Sequence, residues 1–205
     1  MIGIIAAAGG NIKSIFHALN RLNIKSKLIF NYKDFNETDK IILPGVGSFD
    51  HAMDLLKNSG LYDSIKNEVE NKKKPILGIC LGMQLMVEGS DEGIHDGFGW
   101  IKGRCKRLQP QITPTTRIPH IGWNQLYLLN KIDSFTQSLD LNARYYFLHS
   151  YAVNCEKKIN VLANCDHGQE FDSIIRNNNV IGVQFHPERS GSFGSKVLET
   201  FSSIE

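Results

Sequence analysis

The sequence predicts an α/β fold, a doubly wound and mostly parallel sheet with flanking helices. Short apolar strands alternate with amphipathic helices through the first half of the chain. A buried strand, a glycine-flanked turn and a helix follow one another between Lys74 and Leu85. At 205 residues the chain suits a single domain over 1–205, with a core large enough to fold alone.

The elements follow in order. Ile2 to Ala6 reads as a short buried strand. Asn11 stands where a helix cap belongs, and Ile12, Ile15, Phe16, Leu19 and Leu22 follow at helical spacing. The intervening Ala6-Ala7-Ala8-Gly9-Gly10 lacks the glycine spacing of a dinucleotide loop and the Lys-Ser/Thr of a P-loop, so it reads as a tight strand-to-helix turn. Lys27 to Phe30 and Ile41 to Leu43 are the next strands, the latter entering a Pro44-Gly45-Val46-Gly47 loop. Met53 and Leu56, then Tyr62, Ile65 and Val69, mark one or two helices. Beyond residue 98 the pattern changes to short strand-like pieces, extra antiparallel strands with turns such as Asn177-Asn178-Asn179. Ser195 to Ile204 reads as a closing helix.

Composition narrows the function classes. There are 23 Lys and Arg against 21 Asp and Glu, a net charge of +2, so no electrostatic footprint for nucleic acid or a membrane surface exists. Lys72-Lys73-Lys74 reads as a solvated helix end. Cys80, Cys105, Cys155 and Cys165 show no C-x-x-C spacing and are expected as reduced thiols of a cytoplasmic protein. No basic leader precedes Met-Ile-Gly-Ile-Ile and no apolar run reaches membrane-spanning length. The seven histidines have no ligand spacing, and no motif suggests a metal or organic cofactor. Trp100, Trp123, Tyr127, Tyr145, Tyr146 and Tyr151 lack a basic groove, which makes them core or protein-interface residues.

The chemistry concentrates at Cys80. Gly78-Ile79-Cys80-Leu81-Gly82 has the layout of a nucleophile elbow with cysteine in place of serine. The glycines leave room for a strained backbone, and the following helix turns its N-terminal amides and positive dipole end toward the sulfur. Downstream, Val180 to Glu188 is a strand ending in His186-Pro187-Glu188. Extended backbone puts i and i+2 on one side, so Glu188 can hold one ring nitrogen of His186 and free the other for the thiol. An oxyanion formed at Cys80 needs backbone donors, expected from the amide of Leu81 and from the Gly45-Val46-Gly47 stretch.

These residues carry a family resemblance. Pro44-Gly45-Val46-Gly47, the elbow through Gln84-Leu85, Pro119-His120-Ile121-Gly122-Trp123-Asn124, Phe147-Leu148-His149-Ser150-Tyr151 and Gly182 through Glu188 occur in order across nearly the whole chain. The chain resembles the class I (triad) glutamine amidotransferases, a flavodoxin-like fold. The Pro119 to Asn124 segment narrows the resemblance to the branch that serves histidine biosynthesis.

The resemblance implies a glutaminase with Cys80 as nucleophile, His186 as base and Glu188 as its orienter. It implies that Gln84, Glu92, Ser150 and Tyr151 hold the glutamine, although Gln84 also sits in a packed segment with Met83, Leu85 and Met86. It further implies a heterodimer with a (β/α)8-barrel cyclase, which uses the ammonia to make imidazole glycerol phosphate and aminoimidazole carboxamide ribotide. Asn11, His120, Trp123, Asn124 and Tyr146 are the implied partner-facing residues, with core packing the competing role for Trp123. One departure stands out: Ala6-Ala7-Ala8 replaces the family's common Asp-Tyr-Gly. A paralogue feeding a sugar amidotransferase, a non-catalytic scaffold subunit and a cysteine hydrolase on a related fold are the alternatives.

Overall fold

The computed structural model describes residues 1–7, 9–110, 116–140 and 142–204. Ala8, the last residue of the Ala6-Ala7-Ala8 departure, lies outside them. The first half is β1 (Ile2–Ile5), α1 (Ile12–Arg21), β2 (Ser26–Ile29), β3 (Lys40–Gly45), α2 (Phe49–Asn58), α3 (Leu61–Lys66), β4 (Ile76–Cys80) and α4 (Leu81–Gln84). Short strands then dominate: β5 (Gly89–Ser90), β6 (Gly103–Arg107), β7 (His120–Gln125), β8 (Tyr127–Leu128), β9 (Arg144–His149), β10 (Tyr151–Cys155), β11 (Val161–Asp166), β12 (Glu170–Asn177) and β13 (Val180–Val183). Helix α5 (Gly191–Ser203) closes the fold.

The central sheet has eight strands in the order β2-β1-β3-β4-β13-β12-β11-β8. From β2 to β13 the pairings are parallel, and from β13 to β8 they are antiparallel. The expected mostly parallel sheet with antiparallel additions is therefore present. Strands β10, β6 and β5 form a small second sheet, and β7 pairs with β9 as a separate ribbon.

Apolar periodicity explains the layering. Helix α1 buries Ile15, Ala18 and Leu19, and α5 buries Val197, Leu198 and Phe201, on one face of the sheet. Helix α2 buries Phe49, Ala52, Met53 and Leu56 on the other, with Leu61 and Ile65 of α3. Each of these side chains larger than alanine contributes on the order of 1.5–3 kcal/mol of transfer free energy.

Local departures from the sequence reading have physical causes. Asn11 occupies the cap position of α1, but its side chain accepts from the Ser14 hydroxyl at 2.7 Å instead of a backbone amide. Strand β3 runs on through Pro44 and Gly45. Past Ile42 it pairs only with β4, so the missing proline N–H interrupts no ladder. The lysine run stands at the C-terminal end of the Asn67–Asn71 helix with Lys72 and Lys73 exposed, as expected, while Lys74 is drawn inward. Glu68 is buried, and Lys72 and Lys74 each approach its carboxylate to 2.6 Å. Burial pushes the Glu68 pKa up, and these two partners outweigh it and hold it below the usual range.

Candidate active site

The apolar strand β4 ends at Cys80, whose φ of 55° and ψ of −111° form a sharp elbow into α4. A non-glycine residue there stores about 1–3 kcal/mol of strain. Close packing enforces the bend. A Cβ on Gly82 would lie 1.8 Å from the Leu43 carbonyl oxygen, and one on Gly78 would lie 2.7 Å from Gly82 backbone atoms. Helix α4 is a single turn, so what it offers the sulfur is its first-turn amides, with little accumulated dipole behind them. Cys80 is 6% exposed. Its thiol donates to the Leu148 carbonyl at 3.7 Å, and its sulfur accepts from Gln184 Nε2 at 3.6 Å.

Strand β13 runs parallel to β4, and the residues after it deliver His186. The His186 amide donates to the Tyr146 carbonyl at 2.8 Å. Ser190 Oγ donates to the His186 carbonyl at 2.7 Å and accepts from the Tyr146 amide at 2.9 Å. Glu188 meets His186 Nδ1 at 3.0 Å, with only 1% of the carboxylate side chain exposed. The route to this contact differs from the extended backbone that the sequence suggests. Pro187 opens a helical turn, Pro187–Arg189, which folds Glu188 back beneath the ring. His186 Nε2 is buried with no partner inside hydrogen-bonding distance among the described residues. Burial lowers the His186 pKa, but the Cys80 sulfur and the Glu188 carboxylate outweigh it and raise the value to about 10.

A cleft of about 200 Å³ opens between these elements, lined by Val46, Gly47, Cys80, Leu81, Gln84, Glu92, Leu148, His149, Ser150, Tyr151 and His186. That size suits a small metabolite better than a drug-sized ligand. Val46 and Gly47, with Gly47 at φ +96°, line the cleft together with Leu81. Gly45 does not line the cleft. It pairs with Cys80 in the sheet, where an added Cβ would lie 2.8 Å from the Gly82 nitrogen. Glu92 accepts the Phe49 amide at the start of α2 at 2.9 Å, and Asp50 holds the amides of Ile94 and His95. The loop carrying Glu92 is thus docked on α2. Gln84 Nε2 donates to the Tyr151 carbonyl at 2.8 Å and to Gln184 Oε1 at 3.1 Å.

The ribbon of β7 and β9 forms one wall. His120 was expected on the partner-facing surface, but it is 2% exposed and cannot touch a partner in this arrangement. Its Nδ1 lies 3.0 Å from His149 Nε2, and its ring stacks on His167 and Phe147. His149 Nδ1 donates to the Tyr151 carbonyl at 2.9 Å. That bond fixes His149 Nε2 as the acceptor and His120 Nδ1 as the donor. Burial lowers His120 to about 3 and His149 to about 4, so both rings are neutral at pH 7. Trp123, by contrast, is 51% exposed, with Ile121 and Leu148 also exposed on the ribbon. Tyr146 lies edge-on to Trp123 and under the Arg189 guanidinium. Asn11 is exposed, and Asn124 is half-buried with its amide on the Asp166 carbonyl at 2.7 Å.

The sequence reading assigns no role to Gln184, Ser190 or His149. The first has a readable signal, since the strand expected from Val180 to Glu188 puts it two residues before His186 and so on the same side, although the observed strand ends at Val183. Ser190 and His149 act through tertiary bonds that no local pattern encodes. All four cysteines are free thiols. Burial raises Cys165 to about 12 and pushes Cys105 and Cys155 well up, so these three are protonated packing residues. Among the described residues no helix is long and apolar enough to cross a membrane.

Known proteins share both sequence and fold. The family described as glutamine amidotransferase class-I matches residues 4–203. The chain is 38% identical over 205 residues to an imidazole glycerol phosphate synthase subunit HisH from Leptospira interrogans, covering all of both chains. The subunit of that name from Bdellovibrio bacteriovorus is 40% identical over 206 residues, again covering all of both. The one from Oceanobacillus iheyensis is 41% identical over 205 residues, covering all of this chain and 99% of that one. A solved structure of PurLQS from Thermotoga maritima superposes with a TM-score of 0.75 at 22% identity, covering 98% of this chain and 96% of that one.

Proposed function

The chain belongs to the class I glutamine amidotransferases, and from that premise we propose that it is the glutaminase subunit of an imidazole glycerol phosphate synthase, working in the cytoplasm on the histidine pathway. One observation supports the chemistry most directly. A strained, buried cysteine opens onto a small cleft that also contains a histidine braced by a buried glutamate.

Cys80 attacks the side-chain amide carbon of glutamine. The developing oxyanion is met by the amide of Leu81 and by the Val46–Gly47 backbone, donors whose value is greatest in a dry cleft. His186, held as imidazolium by Cys80 and Glu188, protonates the departing nitrogen, and ammonia leaves a γ-glutamyl thioester on Cys80. Acylation removes the sulfur's charge and with it one cause of the raised His186 pKa. The ring can then act as base toward water, and hydrolysis of the thioester releases glutamate. Gln84, Glu92, Ser150 and Tyr151 hold the substrate.

Ammonia free in water would be protonated and lost as a nucleophile, so an acceptor site must lie close by. The exposed Ile121, Trp123 and Leu148 on the cleft's own wall offer the apolar centre of a subunit interface, with Tyr146 beside Trp123 on the same face, and Asn11 and Asn124 are further partner-facing positions by family resemblance. The partner is a (β/α)8-barrel cyclase, which would combine the ammonia with a ribotide to give imidazole glycerol phosphate and aminoimidazole carboxamide ribotide. His120 would serve this face from within, by orienting the ribbon.

The test is glutamate release by the purified chain, alone and with the organism's cyclase and its ribotide ligand. Strong stimulation that Cys80→Ala abolishes, with product formation from added ammonia retained, is the expected result. Glutamine-dependent product from Cys80→Ala would refute the mechanism. Absence of stimulation by the cyclase would refute the pathway and point to another synthase, such as a sugar amidotransferase.

A further inference from the structure

We infer that Gln184 is a further catalytic residue, a fixed hydrogen-bond donor to the Cys80 sulfur that stabilises its thiolate form. The inference rests on the reading of Cys80 as the nucleophile. It starts from two bonds, Gln184 Nε2 to Cys80 Sγ at 3.6 Å and Gln84 Nε2 to Gln184 Oε1 at 3.1 Å.

The orientation of a glutamine amide is set by the hydrogen-bond partners that its two ends meet. Here the assignment has a root that cannot reverse. The Tyr151 backbone carbonyl accepts only, so the Gln84 atom facing it at 2.8 Å must be the NH₂ end. The second hydrogen of that NH₂ goes to Gln184, which therefore presents its oxygen to Gln84. Only the NH₂ end of Gln184 remains for the sulfur. A carbonyl on the substrate-binding strand thus sets the direction of donation through two side chains to the nucleophile.

Burial makes this relay matter. Gln184 is 0% exposed and Gln84 is 4% exposed, so water cannot replace either bond. The Gln184 amide is tied to the Ser173 carbonyl at 2.9 Å, which fixes the backbone from which the side chain reaches. The other polar group on the sulfur is the Leu148 carbonyl at 3.7 Å, an acceptor that favours the protonated thiol. The titratable groups lining the cleft around Cys80 are His186, His149, Glu92 and Tyr151, of which His149 is neutral. Gln184 donates a side-chain N–H to Cys80 Sγ and so opposes the Leu148 carbonyl.

The experiment compares Gln184→Met and Gln184→Glu with the unsubstituted chain, each assayed with and without the cyclase partner. The pH dependence of iodoacetamide alkylation at Cys80 is followed by peptide mass spectrometry, with melting temperature and glutamate release measured in parallel. Gln184→Met keeps the volume and removes the donor. Its alkylation midpoint should rise by about one pH unit and its kcat/KM for glutamine fall roughly tenfold, the scale of a hydrogen bond to a charged group. Gln184→Glu puts an acceptor beside the sulfur and should raise the midpoint further. This second variant decides the matter if the first fails to fold. Midpoints unchanged from the parent in a folded variant would overturn the role of Gln184. No selective alkylation of Cys80 in the parent would instead overturn the nucleophile on which that role depends.

Discussion

Gly82 joins the elbow to its neighbouring strand, and Gly82→Ala tests that union. The added Cβ would stand 1.8 Å from the Leu43 carbonyl oxygen and 2.8 Å from its carbon. Ordinary contact begins at 3.4 Å, so α4 and β3 must part by roughly 1.5 Å. Neither side gives easily. Leu43 is fully buried and pairs with Gly78 in the sheet, and Met83 behind Gly82 is fully buried too. Overpacking usually costs about 1–3 kcal/mol, and a clash of this depth with backbone belongs at the upper end. Three kcal/mol corresponds to a melting temperature roughly 6–12 °C lower for a chain of this size. The same separation pulls the Leu81 amide away from the exit of β3 that leads into Val46 and Gly47. Misplacement of about 1 Å can cost a hundredfold in rate. Gly82→Ala should therefore melt roughly 6–12 °C lower by calorimetry and release glutamate on the order of a hundredfold more slowly. Gly60→Ala serves as the comparison. Gly60 has a φ of +71° but open space around its Cβ, so it should lose only about 1–2 kcal/mol and keep full activity. A Gly82→Ala protein that melts with the parent and turns over glutamine normally would refute the reasoning.

Two further outcomes follow from the buried histidines. Glu188→Gln removes one of the two groups that raise His186, so the alkaline limb of the glutaminase pH profile should move downward and kcat should fall at least about a hundredfold. The raised pKa also contributes stability that is complete below about pH 6.5 and lost as pH rises through about 10; urea unfolding should show this loss flattened in the variant. His120 and His149 have the opposite sign. Their folded values near 3 and 4 lie below the unfolded value of 6.5, so the unfolded chain takes up protons first. Stability present above pH 6.5 should fall as pH drops toward 4, and His120→Phe should shallow that slope by about one proton. An unchanged slope would show that His120 is not held neutral in the fold.

The wall of the cleft illustrates how far sequence reading goes. Trp123 and His120 lie three residues apart in one strand and read alike as partner-facing. The fold exposes one and buries the other, because residues three apart in a strand lie on opposite faces: His120 shares its face with Phe147 and His149, whereas Trp123 lies on the other face beside Tyr146. Lys74 likewise reads as a solvated charge, yet it spans from Glu68 to the Phe35 carbonyl, a residue far away in the chain.

What the sequence alone determined is everything carried by local sterics and periodicity. The apolar alternation set the α/β sheet, Gly78 and Gly82 set the elbow at Cys80, and the His186-Pro187-Glu188 order set the histidine with its carboxylate. What only the tertiary structure decided is how distant segments share polar atoms. The Tyr151 carbonyl orients Gln84, Gln84 orients Gln184, and Gln184 faces the sulfur of Cys80. Such a chain of donors depends on three segments meeting in a space from which water is excluded, and no spacing within any one of them encodes that meeting.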